Sequence, residues 1–429
     1  MQILLISIFV IGYLAIALEH TIKLNKAASA LLTGVLCWAV LALTMNTTEG
    51  THAASEKLVE HLGELSGILF FLMGAMTIVE LIDAHDGFMV ITDKIKTANA
   101  RKMLWIIALV SFVLSAVLDN LTTAIVMVSL LKKLIDDKKT RLLFVGIVVI
   151  ACNSGGAWSP IGDVTTTMLW IGGQITSTNI MLKLILPSLV CLLVPLSVLT
   201  LLIKGNVTRP IAVSGTRSTS STHKERNLVF FAGLGSLLFT PIFKSITHLP
   251  PFMGVLFGLG ILWIITEYIH HGKNEEDKDN FSVVHALRKI DVPSILFFLG
   301  ILMAISALQT EGILSELAMF MNTTIGDNTV IVLLIGLLSA IVDNVPLVAA
   351  TMGMYDLATF PTDSFMWEFI AYCAGTGGSI LIIGSAAGVA AMGIEKIDFM
   401  WYLKKIGWLA ALGYFSGALV YIGQSLLGF

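Results

Sequence analysis

Charge is scarce in this 429-residue chain: Asp, Glu, Lys and Arg together make up 13% of it, against roughly a quarter of an ordinary soluble domain. So little charge excludes a water-soluble globule. A basic excess is missing as well, because 26 Lys and Arg face 29 Asp and Glu for a net charge of −3. A nucleic-acid partner needs cations to meet phosphate, so no nucleic-acid binding is expected. Cysteine is confined to Cys37, Cys152, Cys191 and Cys373, each alone inside an apolar run. That spacing supports neither a disulfide framework nor a zinc ligand set, and the four read as small buried apolar side chains. His20, His52 and His61 lack metal-site spacing, and His270 and His271 open a charged loop and read as solvated. No strand precedes the glycine-rich string GTGGSILIIG at 375–384, so it reads as a helix break and not as a phosphate loop.

What the chain has in abundance is apolar length, with 56% hydrophobic residues. Crossing the hydrocarbon layer as a helix takes about 20 residues. The clearest windows are 3–18, 27–45, 65–82, 142–172, 180–203, 228–243, 251–269, 292–308, 366–394 and 406–428. Two further stretches, about 103–131 and 328–357, are apolar but interrupted at their middle by Asp-Asn. The opening MQILLISIFV has neither a basic n-region nor a small-residue cleavage site and is expected to be a retained span. Longer polar connections are expected at 46–64, 204–227 and 271–291.

The halves on either side of 205–227 resemble each other. ILFFL recurs at 68–72 and 295–299, LSA-x-x-DN at 114–120 and 338–344, and GG with IG at 155–162 and 377–384. The offsets are 227, 224 and 222 residues, too constant and too well ordered for apolar composition alone. The chain is read as an internal duplication: a first repeat over 1–204, a cytoplasmic linker over 205–227 and a second repeat over 228–429.

Positive charge decides how the repeats are threaded, since cytoplasmic loops collect Lys and Arg. If the two Asp-Asn segments span the membrane, the cations divide 11 to 15. If each is instead a re-entrant hairpin that returns to the side it left, 23 of 26 fall on one side and only Lys57, Lys183 and Lys244 on the other. The hairpin reading gives an all-α polytopic membrane protein of two inverted repeats. Each repeat has five transmembrane helices and one re-entrant hairpin, and both termini lie outside the cytoplasm. Inverted repeats with broken helices at mid-membrane are the architecture of many secondary transporters, and irregular backbone survives at that depth only against protein or a polar cavity.

Three acids lie inside the apolar stretches: Asp119 and Asp343 at the hairpin tips, and Asp163 after the NSGGAWSPIG break. A carboxylate there costs several kcal/mol and is a functional candidate by default, the alternative being a cap on a neighbouring helix N-terminus. The repeat partner of Asp163 is Ser385, so the extra acid belongs to the first half alone. Asn120, Asn344, Asn153, Ser154, Thr376 and Ser379 add neutral oxygens, with Ser115, Ser339, Thr122, Thr123, Thr165, Thr166 and Thr167 as lesser candidates. Gly155, Gly156, Gly377 and Gly378 let the backbone break and expose carbonyls. Hard cations take such oxygens. No Lys or Arg lies in these segments, so nothing in them would hold an anion. Glu80 and Glu267, near span ends, read as interfacial.

The two LSA-x-x-DN tips, CNSGGAWSPIGDVTTTM at 152–168 and its partner GTGGSILIIGSAAG at 375–388 resemble the NhaD-type sodium/proton antiporters of the ion transporter superfamily. That group also includes divalent-anion/sodium symporters and arsenite pumps. The resemblance covers essentially the whole chain. It implies a homodimer in the lipid bilayer of a bacterial cytoplasmic membrane, with outer scaffold helices around a mobile core of hairpins and broken helices. By motif it carries over Ser115, Asp119, Asn120, Asn153, Asp163, Thr165, Thr166, Ser339, Asp343, Asn344 and Ser379, with Na⁺ at Asp119, Asn120, Asp163, Asp343 and Asn344. Where the carboxylate branch has Ser-Asn-Thr at the tips, this chain reads Asp-Asn-Leu and Asp-Asn-Val, which suits cation exchange. The expected activity is exchange of cytoplasmic Na⁺, and Li⁺, for external H⁺. Proton and sodium would compete at buried aspartates with elevator-type alternating access, with no cofactor beyond the transported ions. The rivals are a Na⁺-coupled dicarboxylate symporter on the same fold and an intramembrane aspartyl protease with Asp119 and Asp343 as its dyad.

Overall fold

The structure, a computed structural model, describes residues 2–44, 48–92, 95, 97–208, 222–271 and 281–428. Most of the expected linker (209–221) and the charged run GKNEEDKDN (272–280) lie outside the described residues.

Helix starts are written in the sequence as side-chain caps that satisfy orphan N–H groups. Asn99, Asp137, Thr222 and Asp291 each accept from the backbone N–H three residues on, and Thr222 with Glu225 completes a capping box. The result is an all-α polytopic membrane protein, with no strand among the described residues. Among the described residues, nine helices are long and apolar enough to cross a membrane, including Lys26–Thr44, Ser177–Leu202, His223–Thr247, Pro251–His270 and Val292–Thr310. Gln2–Ala17 is shorter, at 16 residues. Outward-facing side chains are apolar, with Leu182 70%, Leu201 74%, Phe231 61% and Ile264 71% exposed, as a lipid-facing surface requires.

Each Asp-Asn segment is a helix, a break and a second helix: Ala100–Leu118 then Asn120–Leu134, and Asn328–Leu338 then Asn344–Met354. Each glycine-rich segment breaks likewise, into Lys138–Ala157 and Val164–Ile171, and into Phe365–Gly377 and Ala386–Glu395. The packing repeats with the halves exchanged. Asn120–Leu134 packs on the short helix Ala386–Glu395 of the second half, and Asn344–Met354 on Val164–Ile171 of the first. Outside them, Lys26–Thr44 packs on Val292–Thr310 and Pro251–His270 on Thr48–Ala84. The incoming arms differ in length, 19 residues against 11.

Close crossings use small residues, as membrane helices without a hydrophobic drive between them must. A Cβ on Gly34 would stand 2.5 Å from the Gly300 carbonyl. The glycine pairs at the breaks serve the same end: a side chain on Gly155 would overlap the Phe112 carbonyl, and one on Gly377 the Gly336 carbonyl.

Two local expectations are corrected, and one further helix is found. From Thr48 onward the polar stretch expected at 46–64 is not a loop, because Thr48–Ala84 is one helix of 37 residues; Ala, Glu, Lys and Leu there carry the helix beyond its apolar part. An unexpected helix, Ile313–Thr324, follows the eighth apolar window and buries Leu314 and Ala318, four residues apart, on one face. His270 is not solvated: it is 4% exposed, its Nε2 lies 2.9 Å from Nε2 of the buried His85, and Phe281 stacks on its ring. Neither ring sits near the broken helices in sequence, so apolar periodicity had no way to show the pairing.

Candidate ion site

Asp163 ends the first break and caps Val164–Ile171. Its Oδ1 accepts from the Thr165 backbone N–H at 2.9 Å and from the Thr165 hydroxyl at 2.8 Å. The carboxylate is therefore held by its own helix end, where the dipole favours negative charge. Its other face meets both Asp-Asn breaks. Asn120 Nδ2 donates to Asp163 Oδ2 at 2.5 Å, and Asn344 Nδ2 lies 3.4 Å from each oxygen. Asn120 Nδ2 also reaches Asn153 Oδ1 at 3.2 Å. Asn153 in turn donates to the hydroxyls of Ser379 (2.9 Å) and Ser385 (2.8 Å) across the pseudo-symmetric centre. Ser385 caps Ala386–Glu395 through the Gly388 N–H, as Asp163 caps its own helix. All seven side chains are buried.

The cluster thus joins Asn120, Asn153, Asp163, Thr165, Asn344 and Ser379, and adds Ser385, which only its equivalence to Asp163 could have suggested. Thr166 bonds the Asp163 carbonyl at 2.9 Å. Ser115 and Ser339 lie outside the cluster and tie each incoming arm to its broken helix, donating to the carbonyls of Cys152 (2.5 Å) and Ala374 (2.9 Å). Ser154 and Thr376 bond back to their own helices, at Ile150 and Tyr372. Gly156 and Gly378 stand against the carbonyls of Gly162 and Gly384 and close each break.

The other two aspartates take no part in the cluster's hydrogen bonds. Asp119, at φ 86°, caps Asn120–Leu134 by accepting from the Thr122 N–H and hydroxyl, both at 2.8 Å. It lines a small cavity of about 30 Å³ with Asn120, Asp163, Phe71, Leu72 and Phe298. Asp343 caps Asn344–Met354 and lies 3.6 Å from the ammonium of Lys26. The second Asp-Asn break therefore does meet a cation, one supplied by the start of the helix Lys26–Thr44. Among the described residues, no three His, Cys, Asp or Glu side chains are placed to share a metal ion. The sequence reading also missed a buried acid, Glu368, which bonds Tyr421 (2.6 Å) and Asn179 at the opposite end of its helix from the break.

On the side of the 244–252 turn, a cavity of about 620 Å³ opens between outer helices and core, lined by His61, Glu64, Gln174, Lys244, Phe252 and Met352 among others. In this arrangement one carboxylate sits among amides and hydroxyls with no Lys or Arg among the described residues in contact with it, a donor set for a hard monovalent cation or a proton.

The chain matches the citrate transporter family over residues 13–375. It is 50% identical to sodium/proton antiporter 1 of Arabidopsis thaliana over 98% of this chain and 72% of that protein. It is 47% identical to sodium/proton antiporter 2 of the same plant over 97% and 98%. With the Na⁺/H⁺ antiporter NhaD of Vibrio cholerae it shares 31% identity over 92% of this chain and 86% of the other. The YdaH transporter of Alcanivorax borkumensis has a similar fold, with a TM-score of 0.60 at 11% identity over 94% of this chain and 98% of that one. The chain is a secondary transporter, not an enzyme, and belongs to the citrate transporter family, where it stands with the NhaD-type sodium/proton antiporters.

Proposed function

We propose that the protein exchanges Na⁺ for H⁺ across a membrane, with Asp163 as the shared carboxylate. One observation carries this: a single buried carboxylate bonded by asparagines from both Asp-Asn breaks, with neutral hydroxyls behind them. The names of the Arabidopsis and Vibrio relatives support the same ions. Asn120 and Asn344 turn their NH₂ groups toward Asp163. Rotation of each amide about its last bond presents oxygen instead, so the same side chains can coordinate a cation without moving the backbone. A proton and a cation then satisfy the same oxygens in turn. Exchange follows if the core reorients when loaded with either and stays put when loaded with neither. Li⁺, chemically the nearest hard monovalent cation, is expected to substitute for Na⁺.

The proposed setting is a bacterial cytoplasmic membrane, as the bacterial NhaD relatives suggest, in which the protein would be a homodimer with both termini extracytoplasmic, the latter supported by the Lys/Arg distribution. The repeats would be inverted, each with a re-entrant hairpin, and the core of hairpins and broken helices would move as an elevator against the outer helices. A second reading, Na⁺-coupled carboxylate symport, has the family's citrate transporter description in its favour. It needs a cationic anchor at the cluster, and the nearby candidate, Lys26, is engaged by Asp343. Dye-reported collapse of ΔpH in everted vesicles on adding Na⁺, Li⁺, K⁺, a dicarboxylate or citrate separates the two. Na⁺ and Li⁺ should dissipate ΔpH and the carboxylates should not; the reverse pattern would overturn the exchange reading.

A further inference from the structure

Lys26 opens the outer helix Lys26–Thr44, and its backbone is tied into the preceding corner. Glu19 Oε1 accepts its N–H at 3.1 Å, and Asn25 Oδ1 accepts the next N–H at 2.8 Å. From that anchored point the side chain runs across the face of Phe297, 4.5 Å from the ring centroid, and its ammonium reaches Asp343 at 3.6 Å. Phe297 belongs to Val292–Thr310, the outer helix on which Lys26–Thr44 packs. Both ends of the pair are largely enclosed, at 24% and 17% side-chain exposure, and a small opening of about 100 Å³ lies over them, lined by Tyr13, Glu19, Lys26 and Asp343.

The other end of this contact is one residue from the ion cluster. Asp343 precedes Asn344, whose amide lies against both oxygens of Asp163. A second corner lysine holds the opposite half: Lys244 donates to the Trp170 carbonyl at 2.8 Å, at the C-terminal end of the helix that Asp163 caps. That acceptor is neutral, so its grip does not depend on the charge of the core. The grip of Lys26 does, because its acceptor is a carboxylate that adjoins the cation's own ligands.

We propose that Lys26 locks the unloaded carrier: its ammonium holds Asp343 of the core to the outer helices until a cation or a proton at the cluster releases it. The inference rests on the exchange reading above. A positive charge arriving at Asp163 repels the ammonium next door and turns the Asn344 amide, and both effects act on the same hairpin tip. An empty core, carrying its full negative charge, keeps the ion pair and stays where it is. Lys26 is thus a positioning residue, acting through Asp343.

The test compares two fluxes of ²²Na⁺ from proteoliposomes of the full chain: Na⁺/Na⁺ exchange, and net efflux into Na⁺-free buffer at high external pH, where protons are scarce. In the unmodified protein net efflux should be far slower than exchange, because the empty carrier must return. Lys26→Met should raise the ratio of net efflux to exchange about fivefold, the population change that one partly exposed ion pair sustains. Lys26→Arg should restore the original ratio. An unchanged ratio in Lys26→Met overturns the lock, as does loss of exchange in monodisperse, purified Lys26→Gln, since a missing lock should not slow the loaded carrier. If the unmodified protein fails to couple Na⁺ to H⁺, the exchange reading itself falls, a result distinct from either of these.

Discussion

Replacing Asp163 with Asn removes one charge and almost no volume, which isolates the electrostatic part of cation binding. The carboxylate accepts from the Thr165 N–H and hydroxyl and from Asn120 and Asn344. An asparagine at this position keeps its Oδ1 for Thr165, and Asn caps helices as well as Asp does. Its NH₂ can meet Asn120 and Asn344 once their amides rotate. The variant should therefore fold. What disappears is the attraction between the carboxylate and a bound cation, about 4 kcal/mol at a separation near 4 Å and an effective dielectric of about 20. At about 1.4 kcal/mol per tenfold, half-saturating Na⁺ should rise about a thousandfold, in effect abolishing Na⁺-driven proton movement. Thr165→Ala leaves the charge and removes one hydroxyl bond worth about 1 kcal/mol, so its half-saturation should rise only about fivefold. Dye-reported ΔpH in everted vesicles over a Na⁺ series reads both, and thermal unfolding of the purified variants checks folding. If Asp163→Asn is well folded and its half-saturating Na⁺ lies within about tenfold of the unmodified protein, Asp163 is not the cation's counter-charge and the site must be sought at Asp119 or Asp343.

Other expectations bear on stability. Gly155→Ala and Gly377→Ala each drive a methyl into a buried backbone carbonyl and should lower stability by about 1–3 kcal/mol, seen as a drop in unfolding temperature with exchange lost in parallel. The Arg141–Glu395 pair, 3.0 Å apart and 15% and 2% exposed, ties the base of one broken helix to the end of the other. Breaking it by Arg141→Met alone should destabilise by about 3–5 kcal/mol, and adding Glu395→Met should recover much of that; a double variant no more stable than the single would refute the pairing. Asp137, which caps Lys138–Ala157 from outside the apolar span, is held below the usual carboxylate range chiefly by its hydrogen bonds from Thr140. Its folded pKa lies below its unfolded value, so its contribution is present above the unfolded pKa and fades as pH falls through the folded one. Asp137→Asn should match the unmodified unfolding temperature more closely in acid than at neutral pH.

Much of the architecture was legible in the sequence because ordered matches between its two halves mark where its helices break. The Asp-Asn pairs, GG and IG recur in register, and in the structure they become the four breaks and the steric contacts between them. The chemistry of the cluster was partly legible too: Asp163, Asn120 and Asn344 stand out as polar groups in apolar runs, and they meet. Other parts depend on partners that local pattern cannot name. Ser154 and Thr376 look like their neighbours in composition, yet each hydroxyl is spent on its own helix. Lys26 reads as an ordinary loop cation, and only folding lays it across Phe297 to Asp343. The polar start of Thr48–Ala84 resembles a loop because its apolar content falls, while its helix propensity does not. His85 and His270 come from different helices with no shared motif, so their contact is purely tertiary.

The exchange of partners between halves bears on how such a chain can be made. Val164–Ile171 is covered by Asn344–Met354, and Asn120–Leu134 by Ala386–Glu395. A nascent chain that has delivered only its first half to the bilayer holds Asp163 without Asn344, and Asn153 without Ser379 and Ser385. That intermediate carries a membrane-buried acid without the Asn344 amide against its oxygens, a liability that ends only when the last quarter of the polypeptide is inserted. Quality-control proteases should accordingly recognise chains truncated after the first repeat. The two halves, expressed as separate fragments, should persist only when both are present together.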